Sequence, residues 1–316
     1  MKILKACKDL LLMKTILTRE LPQSVYVLGG LCHMLGKNTF RLKMCVDSWP
    51  TFSTAVCYRQ SQDLGTGSSL GDLPDVYSVF SKNQDSLRRL LANDDVFKWG
   101  KNLEFKVESC HHQTLKEIAP LRGFRDGYGG TLIYIHYSPD AVPSSASEPE
   151  IASLSECHAE LVLAHLSYVG NMHQVRSYIK HLPSYCVLDQ EGQPASWLLT
   201  DEFNELRMAY TRPEYRHAGH LRHLFTRMVR QRVSAGIPVY SGLRATPSST
   251  HLKLTDSGHR HHVKSTAASG DPRPENTKDT TSVSSAVLTA QSLKTSLLHI
   301  AFRAIPSDSC DPGSEW

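Results

Sequence analysis

Hydrophobic positions change their period within one short stretch in the last third of the chain. Between positions 205 and 211, Leu206, Met208 and Tyr210 alternate with other residues, which is the period of a half-buried strand. After a corner that contains Pro213, apolar positions recur at helical spacing: Leu221, Leu224, Phe225 and Met228. The sequence therefore predicts a strand, a loop and a helix in this order.

The residues around this unit predict further helices and strands. Helices are expected over 158–168 and 173–181, and strands over 185–189, 195–200 and 238–240. With the central unit, the order becomes α-α-β-β-β-α-β. This order is typical of a mixed α/β domain.

The first part of the chain also mixes both periods. A first helix would present these residues on its core face: Ile3, Leu4, Cys7, Leu10, Leu11 and Leu17. Strands are expected over 24–28, 41–47, 53–58 and 131–137, and short helices over 86–91 and 94–99. The Gly-, Ser- and Asp-rich stretch 60–75 predicts a loop. The predicted fold class of the whole chain is therefore α/β (α+β).

Changes of composition divide the chain into four parts. A stretch with three prolines and a Ser-Ser-Ala-Ser run predicts a linker over 138–150, between a first domain over 1–137 and a second over 151–243. Residues 244–316 are rich in Ser, Thr, Pro, Gly and His and are predicted to be a disordered, low-complexity tail. Within this tail, 287–305 carries apolar residues that would suit an amphipathic helix.

Candidate binding chemistry lies at the start of the predicted helix. Its residues are Arg216, His217, Ala218, Gly219, His220 and Leu221. A helix N-terminus presents unpaired backbone N–H groups and a positive dipole end, and Gly219 lets the chain approach a phosphate closely. The spacing resembles the R/Q-x-x-G-x-G/A pattern of acetyltransferases that use coenzyme A, although Leu221 departs from it. Plain helix capping by Gly219 is the alternative.

A longer run of residues resembles the glycine N-acyltransferase family. Positions 204–216, Asn-Glu-Leu-Arg-Met-Ala-Tyr-Thr-Arg-Pro-Glu-Tyr-Arg, are similar to that family's E-M-R-M-A-G-T-x-P-E-Y-R run. Further similar segments are Val46 to Pro50, Tyr77 to Lys82, Gly170-Asn171 and Gly192 to Trp197. The resemblance covers about residues 1–241.

This resemblance implies a fold and an activity. It implies two acetyltransferase-type domains, the first a degenerate relative of the second, and transfer of an acyl group from acyl-CoA to the amine of glycine or glutamine. Glu205 would be the general base, because the amine must lose a proton before it attacks the thioester. Met208 and Tyr210 of the strand, with the loop from Arg216 to Leu221, would bind acyl-CoA. The strand backbone would stabilise the oxyanion. No permanently bound cofactor is implied.

Two alternatives stay open at this point. Glu205 could instead be an exposed carboxylate at a strand end, paired with Arg207 or Arg222. The family pattern also stops near Ser241, in the middle of the second domain, where the family continues with another helix and strand. The truncated second domain could therefore belong to an inactive variant that retains at most acyl-CoA binding.

Composition excludes some partners. The sequence has 35 Lys and Arg against 31 Asp and Glu, a formal net charge of +4, and its arginine-rich helix lacks interleaved aromatic residues, so nucleic-acid binding is not expected. Eight scattered cysteines without C-x-x-C spacing predict reduced thiols and no metal site; His259 to His262 would bind metal only adventitiously. No apolar run reaches membrane-spanning length. A monomer is expected.

The N-terminal segment offers two interpretations. Its lysines and apolar residues would suit mitochondrial import, and a core helix explains the same pattern. Mitochondrial localisation is predicted, with the cytoplasm as the alternative.

Overall fold

The computed structural model describes residues 1–60, 74–99, 103–127, 130–136, 149–166, 171–244 and 292–304. The α-helices in these ranges are α1 (Cys7–Arg19), α2 (Val25–Leu35), α3 (Gln84–Leu91), α4 (His112–Leu121), α5 (Ala159–Ala164), α6 (Met172–His181) and α7 (His220–Ser234). The strands are β1 (Lys2–Leu4), β2 (Lys43–Val46), β3 (Thr54–Arg59), β4 (Asp75–Ser81), β5 (Leu103–Glu108), β6 (Phe124–Gly127), β7 (Gly130–His136), β8 (Ile151–Ala152), β9 (Ser184–Leu188), β10 (Pro194–Thr200), β11 (Glu205–Thr211), β12 (Val239–Arg244) and β13 (Ser292–Ala304). The predicted mixed α/β class is confirmed.

All these strands belong to one sheet. Its order is β1-β2-β3-β4-β5-β13-β7-β12-β11-β10-β9-β8, and β6 also pairs with β13. Strands from the first part of the chain occupy one side and strands from the second part the other. The sheet is therefore continuous across the predicted domain boundary, because β7 pairs with β12.

The two sides of the sheet contain the same supersecondary unit. On each side a strand leads through a helix to a parallel neighbour, as β4-α3-β5 and as β11-α7-β12. A parallel pair requires such a crossover connection. In both units the pairing stops before the strands end, at Ser78↔Lys106 in the first and at Leu206↔Ser241 in the second. Both pairs thus open towards the carboxyl ends of their strands.

The buried core is divided among several clusters. One lies wholly in the first part of the chain around Tyr77, Phe97 and Phe105. A second packs α1 and α2 on β2 and β3 and also includes Phe203 from the second part. Two more lie on opposite faces of β10 and β11, one against α5 and α6 and the other against α7.

Helix α2 replaces the strand predicted over 24–28. Every residue from Val25 to Leu31 is buried, so the run carries no amphipathic period, and short apolar runs do not distinguish strand from helix. The helix predicted over 94–99 is also wrong, since these residues form turns and an irregular segment. Strand β4 was not predicted, although all seven of its residues are buried.

The N-terminal segment is part of this fold. Strand β1 pairs with β2, and Leu10, Met13 and Leu17 of α1 are buried in the core. Leu11, placed on the core face by the sequence pattern, is 52% exposed instead. The segment that resembles an import signal therefore also supplies core residues.

The C-terminal tail contains a strand where disorder or an amphipathic helix was expected. Strand β13 pairs antiparallel with both β5 and β7. Its alternation of Leu298, Ile300 and Phe302 is the strand period that the helical interpretation overlooked. The rest of the predicted tail, 245–291 and 305–316, lies outside the described residues, as does 138–148 of the predicted linker. The domain boundaries themselves stay a prediction.

Candidate active site

Glu205 lies in a buried cluster of charges where the two parts of the chain meet. The Nζ atom of Lys106, on β5, is 2.8 Å from Glu205 Oε2 and 2.5 Å from Asp201 Oδ2. Lys106 and Asp201 are each 1% exposed, and Glu205 is 7% exposed. Burial alone would lower the pKa of Lys106, but the two carboxylates hold that pKa above its ordinary value. Lys106 is therefore a charged ammonium with two carboxylate partners.

Aromatic rings cover the rest of this ammonium. Lys106 Nζ lies 4.9 Å from the ring centroid of Phe203 and 5.4 Å from that of Tyr26. Both rings present π-electron density to the cation. Burial, and then the charge of Glu205, raises the pKa of Tyr26 well above its ordinary value.

A second buried ion pair lies in the same connection between β10 and β11. Arg59 Nε of β3 is 3.0 Å from Glu202 Oε1, and the hydroxyl of Tyr178 donates to Glu202 Oε2 at 2.5 Å. Burial alone would raise the pKa of Glu202, but the charge of Arg59 holds it below its usual range. Successive acidic residues of one loop thus pair with basic residues of the other part of the chain.

A tight turn holds this loop, Asp201 to Asn204, in place. The Oδ1 atom of Asp201 accepts the backbone N–H groups of Phe203 and Glu205, each at 2.9 Å. Asn204 adopts a left-handed φ of 65°, which asparagine tolerates, and its side chain donates to Gly29 O at 2.7 Å. The turn points Phe203 into the first part of the chain and leaves Glu205 at the first position of β11.

Strand β11 contains a bulge next to its opening. Its pairing with β10 shifts register between Trp197↔Tyr210 and Leu199↔Arg207, and Met208 has a φ of 54°. One extra residue reverses the alternation of faces. Leu206 consequently packs on the α7 side, whereas Met208 and Tyr210 pack on the opposite side. The predicted sharing of one face by all three residues is therefore wrong.

The opening between β11 and β12 leaves an edge of strand without its neighbour. β11 continues to Thr211, but its pairing with β12 ends at Leu206↔Ser241. Backbone N–H groups on that edge could donate hydrogen bonds to an extended chain or to a carbonyl oxygen, which they would polarise. Glu205 lies directly before this opening, and Met208 and Tyr210 lie within it.

The predicted phosphate loop lies at the start of α7. His217 and Gly219 both have positive φ, 67° and 77°, so the chain turns tightly before the helix. Gly219 is the N-cap of the 15-residue helix, whose first turn directs N–H groups outward. His217, Ala218 and Gly219 are exposed, and Arg216, His220 and Leu221 are partly buried. Burial lowers the pKa of His220. Backbone amides and Arg216 are therefore the groups of this loop that would attract an anion.

Arg212 fixes the other end of this loop. Its Nη1 is 2.6 Å from Asp189 Oδ2, in the turn after β9, and its Nε donates to Glu214 Oε1 at 2.8 Å. Arg232 of α7 is buried, at 7% exposure, and donates to Thr200 Oγ1 at 3.2 Å. Of the arginines of α7, Arg222, Arg227 and Arg230 remain on the exposed side.

The structure brings most of the predicted site residues together along one path. Glu205, Met208 and Tyr210 follow one another along β11, and Arg216 to Leu221 come next. Two further residues of this site, Lys106 and Asp201, were not predicted from the sequence. The sequence offered no local signal for Lys106, because it alternates with apolar residues in step with Glu104 and Glu108, and its partners lie more than ninety residues away.

Tyr240, on β12 beside Glu205, is fully buried. Its hydroxyl donates to Phe203 O at 2.6 Å. Burial also raises its pKa well above the ordinary value. Its proton is therefore committed to the contact between the two parts of the chain.

Comparison with known proteins gives consistent matches. A family model described as aralkyl acyl-CoA:amino acid N-acyltransferase matches residues 1–184, and the model of that family's C-terminal region matches residues 185–263. Mouse glycine N-acyltransferase is 29% identical over 261 residues, which cover 75% of this chain and 88% of the relative. Bovine glycine N-phenylacetyltransferase is 28% identical over 272 residues, 78% and 90% of the two chains.

Another relative and one solved structure extend the comparison. The rat glycine N-acyltransferase-like protein Keg1 is 30% identical over 263 residues, 75% of this chain and 88% of the relative. An X-ray structure of a Drosophila protein superimposes with a TM-score of 0.65 at 13% identity, over 96% of this chain and 97% of that one. At this identity the structural likeness concerns the fold alone.

Proposed function

The chain belongs to the aralkyl acyl-CoA:amino acid N-acyltransferase family, and we propose that it transfers an acyl group from acyl-CoA to the amine of glycine. Glutamine is the alternative acceptor. The observation that carries the proposal is the opening of β11 from β12 beside the left-handed loop at the start of α7. Acyl-CoA is a co-substrate here, without a permanently bound cofactor.

We propose that the opening and the loop bind two different parts of acyl-CoA. The pyrophosphate would accept hydrogen bonds from the N–H groups at the start of α7, with Arg216 close by. The pantetheine chain would extend along the free edge of β11 and hydrogen-bond to it as a neighbouring strand does. This arrangement places the thioester near the point where β11 and β12 separate.

The backbone of β11 would stabilise the transition state. Attack of an amine on the thioester carbonyl places negative charge on its oxygen, and fixed N–H donors favour that charge. The bulge at Met208 turns the strand at this place. No covalent acyl-enzyme is required, so both substrates would react in one ternary complex.

Glu205 would accept the proton of the amine. Its carboxylate is held at a fixed position by Lys106, 2.8 Å away. When Glu205 takes up a proton, Lys106 retains Asp201 as its counterion at 2.5 Å. The protonated state therefore leaves no unpaired ammonium in the interior, which would otherwise be costly.

The same ion pair favours a second candidate function, acyl-CoA binding without turnover. A carboxylate that is 7% exposed and paired with a buried lysine resembles a structural connection between the two parts of the chain. In that case Glu205 would stabilise the fold, and the cleft would only bind acyl-CoA.

Mass-spectrometric detection of N-acyl products distinguishes the two candidates. Purified protein is incubated with glycine or glutamine and with acetyl-, benzoyl-, phenylacetyl- or oleoyl-CoA. Glu205→Gln should lower turnover about 10²- to 10⁴-fold, the usual contribution of a general base. Glu191→Gln, in an exposed turn, is the matched control and should keep full activity. Saturable acyl-CoA binding by folded wild-type protein without any product would favour the second candidate.

We also propose mitochondrial localisation without cleavage of the N-terminal segment, and a monomer. Removal of residues 2–19 would delete β1 and the buried face of α1. In the described part of the chain, none of the helices has the length and apolar character needed to span a bilayer. Fractionation of cells that express the tagged protein, followed by N-terminal sequencing, tests the compartment and the intact N-terminus together.

A further inference from the structure

A cavity of about 400 Å³ lies at the opening of the first parallel pair, between the ends of β4 and β5. Ser81 and Lys82 line it where β4 ends, and Glu108, Cys110 and His111 line it where β5 ends. Pairing of β4 with β5 stops at Ser78↔Lys106, so the two strand ends diverge around this space.

Three chemically different metal-binding groups converge at this cavity. A carboxylate oxygen of Glu108, the Sγ atom of Cys110 and a ring nitrogen of His111 all lie within 4.8 Å of one another. Among the described residues, no other set of three His, Cys, Asp or Glu side chains has its possible ligand atoms so close together. Oxygen, sulfur and imidazole nitrogen together form a donor set typical of zinc.

The imidazole of His111 is oriented as a ligand would be. It is 3% exposed, and its Nε2 lies 2.9 Å from the carbonyl oxygen of Ser81. A carbonyl can only accept, so Nε2 carries the proton and Nδ1 has a free lone pair. Nδ1 is buried without a hydrogen-bond partner among the described residues. Histidines that bind metals usually donate their other ring N–H to a carbonyl or carboxylate in this way.

We propose that Glu108, Cys110 and His111 bind a zinc ion, with water from the cavity as the fourth ligand. The Cys110 thiol would release its proton to solvent as its sulfur binds the ion. Bond lengths of about 2.0 to 2.3 Å require the ligand atoms to move closer together. Cys110 is exposed and Glu108 only partly buried, so both side chains have room to do so. Because His111 also donates to Ser81 O at the end of β4, the bound ion would connect the ends of β4 and β5.

A similar run elsewhere in the chain lacks the free nitrogen. Glu156, Cys157 and His158 also follow one another closely, and Cys157 is exposed. There the backbone N–H of Ser155 donates to His158 Nδ1 at 3.1 Å, so this lone pair already has a partner. The second run is therefore a control supplied by the protein itself.

Cobalt substitution tests the site directly. Full-length protein is treated with chelator, dialysed and titrated with Co²⁺, and the near-ultraviolet charge-transfer absorption of a Co²⁺–thiolate bond is recorded. The tail histidines cannot produce this absorption, because it requires sulfur. In the wild type and in Cys157→Ser, the absorption should saturate at one Co²⁺ per protein chain. It should be lost in Cys110→Ser and weaker in Glu108→Gln.

Competition and thermal unfolding complete the test. Zn²⁺ should displace the Co²⁺ signal, and it should raise the Tm of the wild type and of Cys157→Ser more than that of Cys110→Ser. Circular dichroism confirms that Cys110→Ser is folded, as expected for an exposed side chain. Absence of the absorption in folded wild-type protein, or its persistence in Cys110→Ser, would overturn the proposal.

Discussion

Two left-handed residues of the candidate active site have different physical roles. Met208 adopts a φ of 54° because the bulge in β11 requires it, and a non-glycine residue in this region costs about 1–2 kcal/mol. Gly219 adopts a φ of 77° before α7, where glycine bears no such cost. At Met208 strain re-aims side chains, whereas at Gly219 the absence of a side chain keeps the backbone amides accessible.

Replacing Gly219 by alanine should therefore affect stability and binding together. Among the described residues, a Cβ atom at this position meets only the ring of His223, at 4.0 Å, so the loss of about 1–2 kcal/mol comes from the backbone conformation. The added methyl group also stands among the amides proposed to hold the pyrophosphate. We expect KM for acyl-CoA to rise at least several-fold in steady-state assays.

Gly192 provides the matched control for this substitution. It has the same φ of 77°, and a Cβ atom there meets nothing within 4 Å among the described residues. Gly192→Ala should lower the free energy of unfolding by a similar amount and leave KM unchanged. Equal KM values for acyl-CoA in the two variants would contradict the proposed role of Gly219 in binding.

Some site residues could be predicted from the sequence, but their partners could not. The resemblance pointed to Glu205 and to the loop from Arg216, and the structure places them on one strand and the turn after it. The exposed strand-end position considered for Glu205 was wrong, since its side chain is 7% exposed and lies 2.8 Å from Lys106 Nζ. A pairing between residues 99 positions apart depends on how the two parts of the chain pack, and a local pattern does not contain that information.

At the scale of elements, helix α2 of the first part of the chain lies in close contact with the Asp201 to Asn204 loop of the second part. A Cβ atom at Gly29 would lie 1.9 Å from the backbone oxygen of Phe203, and one at Gly30 would lie 2.9 Å from the Cδ1 atom of the Phe203 ring. The two glycines therefore let the loop approach the helix closely. The Asn204 side chain, which donates to Gly29 O, strengthens the same contact.

Gly29→Ala should accordingly destabilise the protein strongly. The clash involves backbone atoms, which cannot rotate away, so we expect a loss of about 3 kcal/mol, at the upper end of the usual cost of overpacking. Urea unfolding measures it. In Gly36→Ala, at the end of the same helix, the nearest atom to the new Cβ is 3.4 Å away, and the change should be much smaller. Similar losses in the two variants would contradict this description of the contact.

Elements with a clear period were predicted and elements without one were not. Strands β9 and β10 appear within one residue of the expected positions, and helix α7 covers the apolar positions predicted to be helical. Helix α2 was mistaken for a strand because it is buried on all sides, and β13 was missed because its composition resembles a tail. The reversal of faces in β11 was also hidden, since a bulge depends on the neighbouring strand.

At the scale of the whole molecule, charged pairs and one strand connect the two parts of the chain. Lys106 and Arg59 from the first part pair with Asp201, Glu205 and Glu202 from the second. Strand β13 lies between β5 and β7 and so completes the middle of the sheet. The fold of each part therefore depends on contacts with the other.

Lys106→Met should reveal this dependence. Removing one partner of a buried ion pair typically costs about 3–5 kcal/mol, and here two buried carboxylates would lose the charge of Lys106. Chemical unfolding should show a single transition at lower denaturant concentration. Arg88→Met is the control, because it breaks a solvent-exposed ion pair with Glu117, also in the first part of the chain. It should leave the midpoint of chemical unfolding almost unchanged. A midpoint for Lys106→Met as high as that of Arg88→Met would contradict a stabilising role for the cluster.

Hydrogen exchange in the presence and absence of acetyl-CoA tests the location of the acyl-CoA site most directly. Both parallel pairs of the sheet open at their ends, so the protein offers two comparable openings. We predict slower exchange of the backbone amides over 207–211 and 218–222, with no change over 79–84. Saturable binding that protects 79–84 instead, or that leaves 207–222 unprotected, would contradict the proposed site.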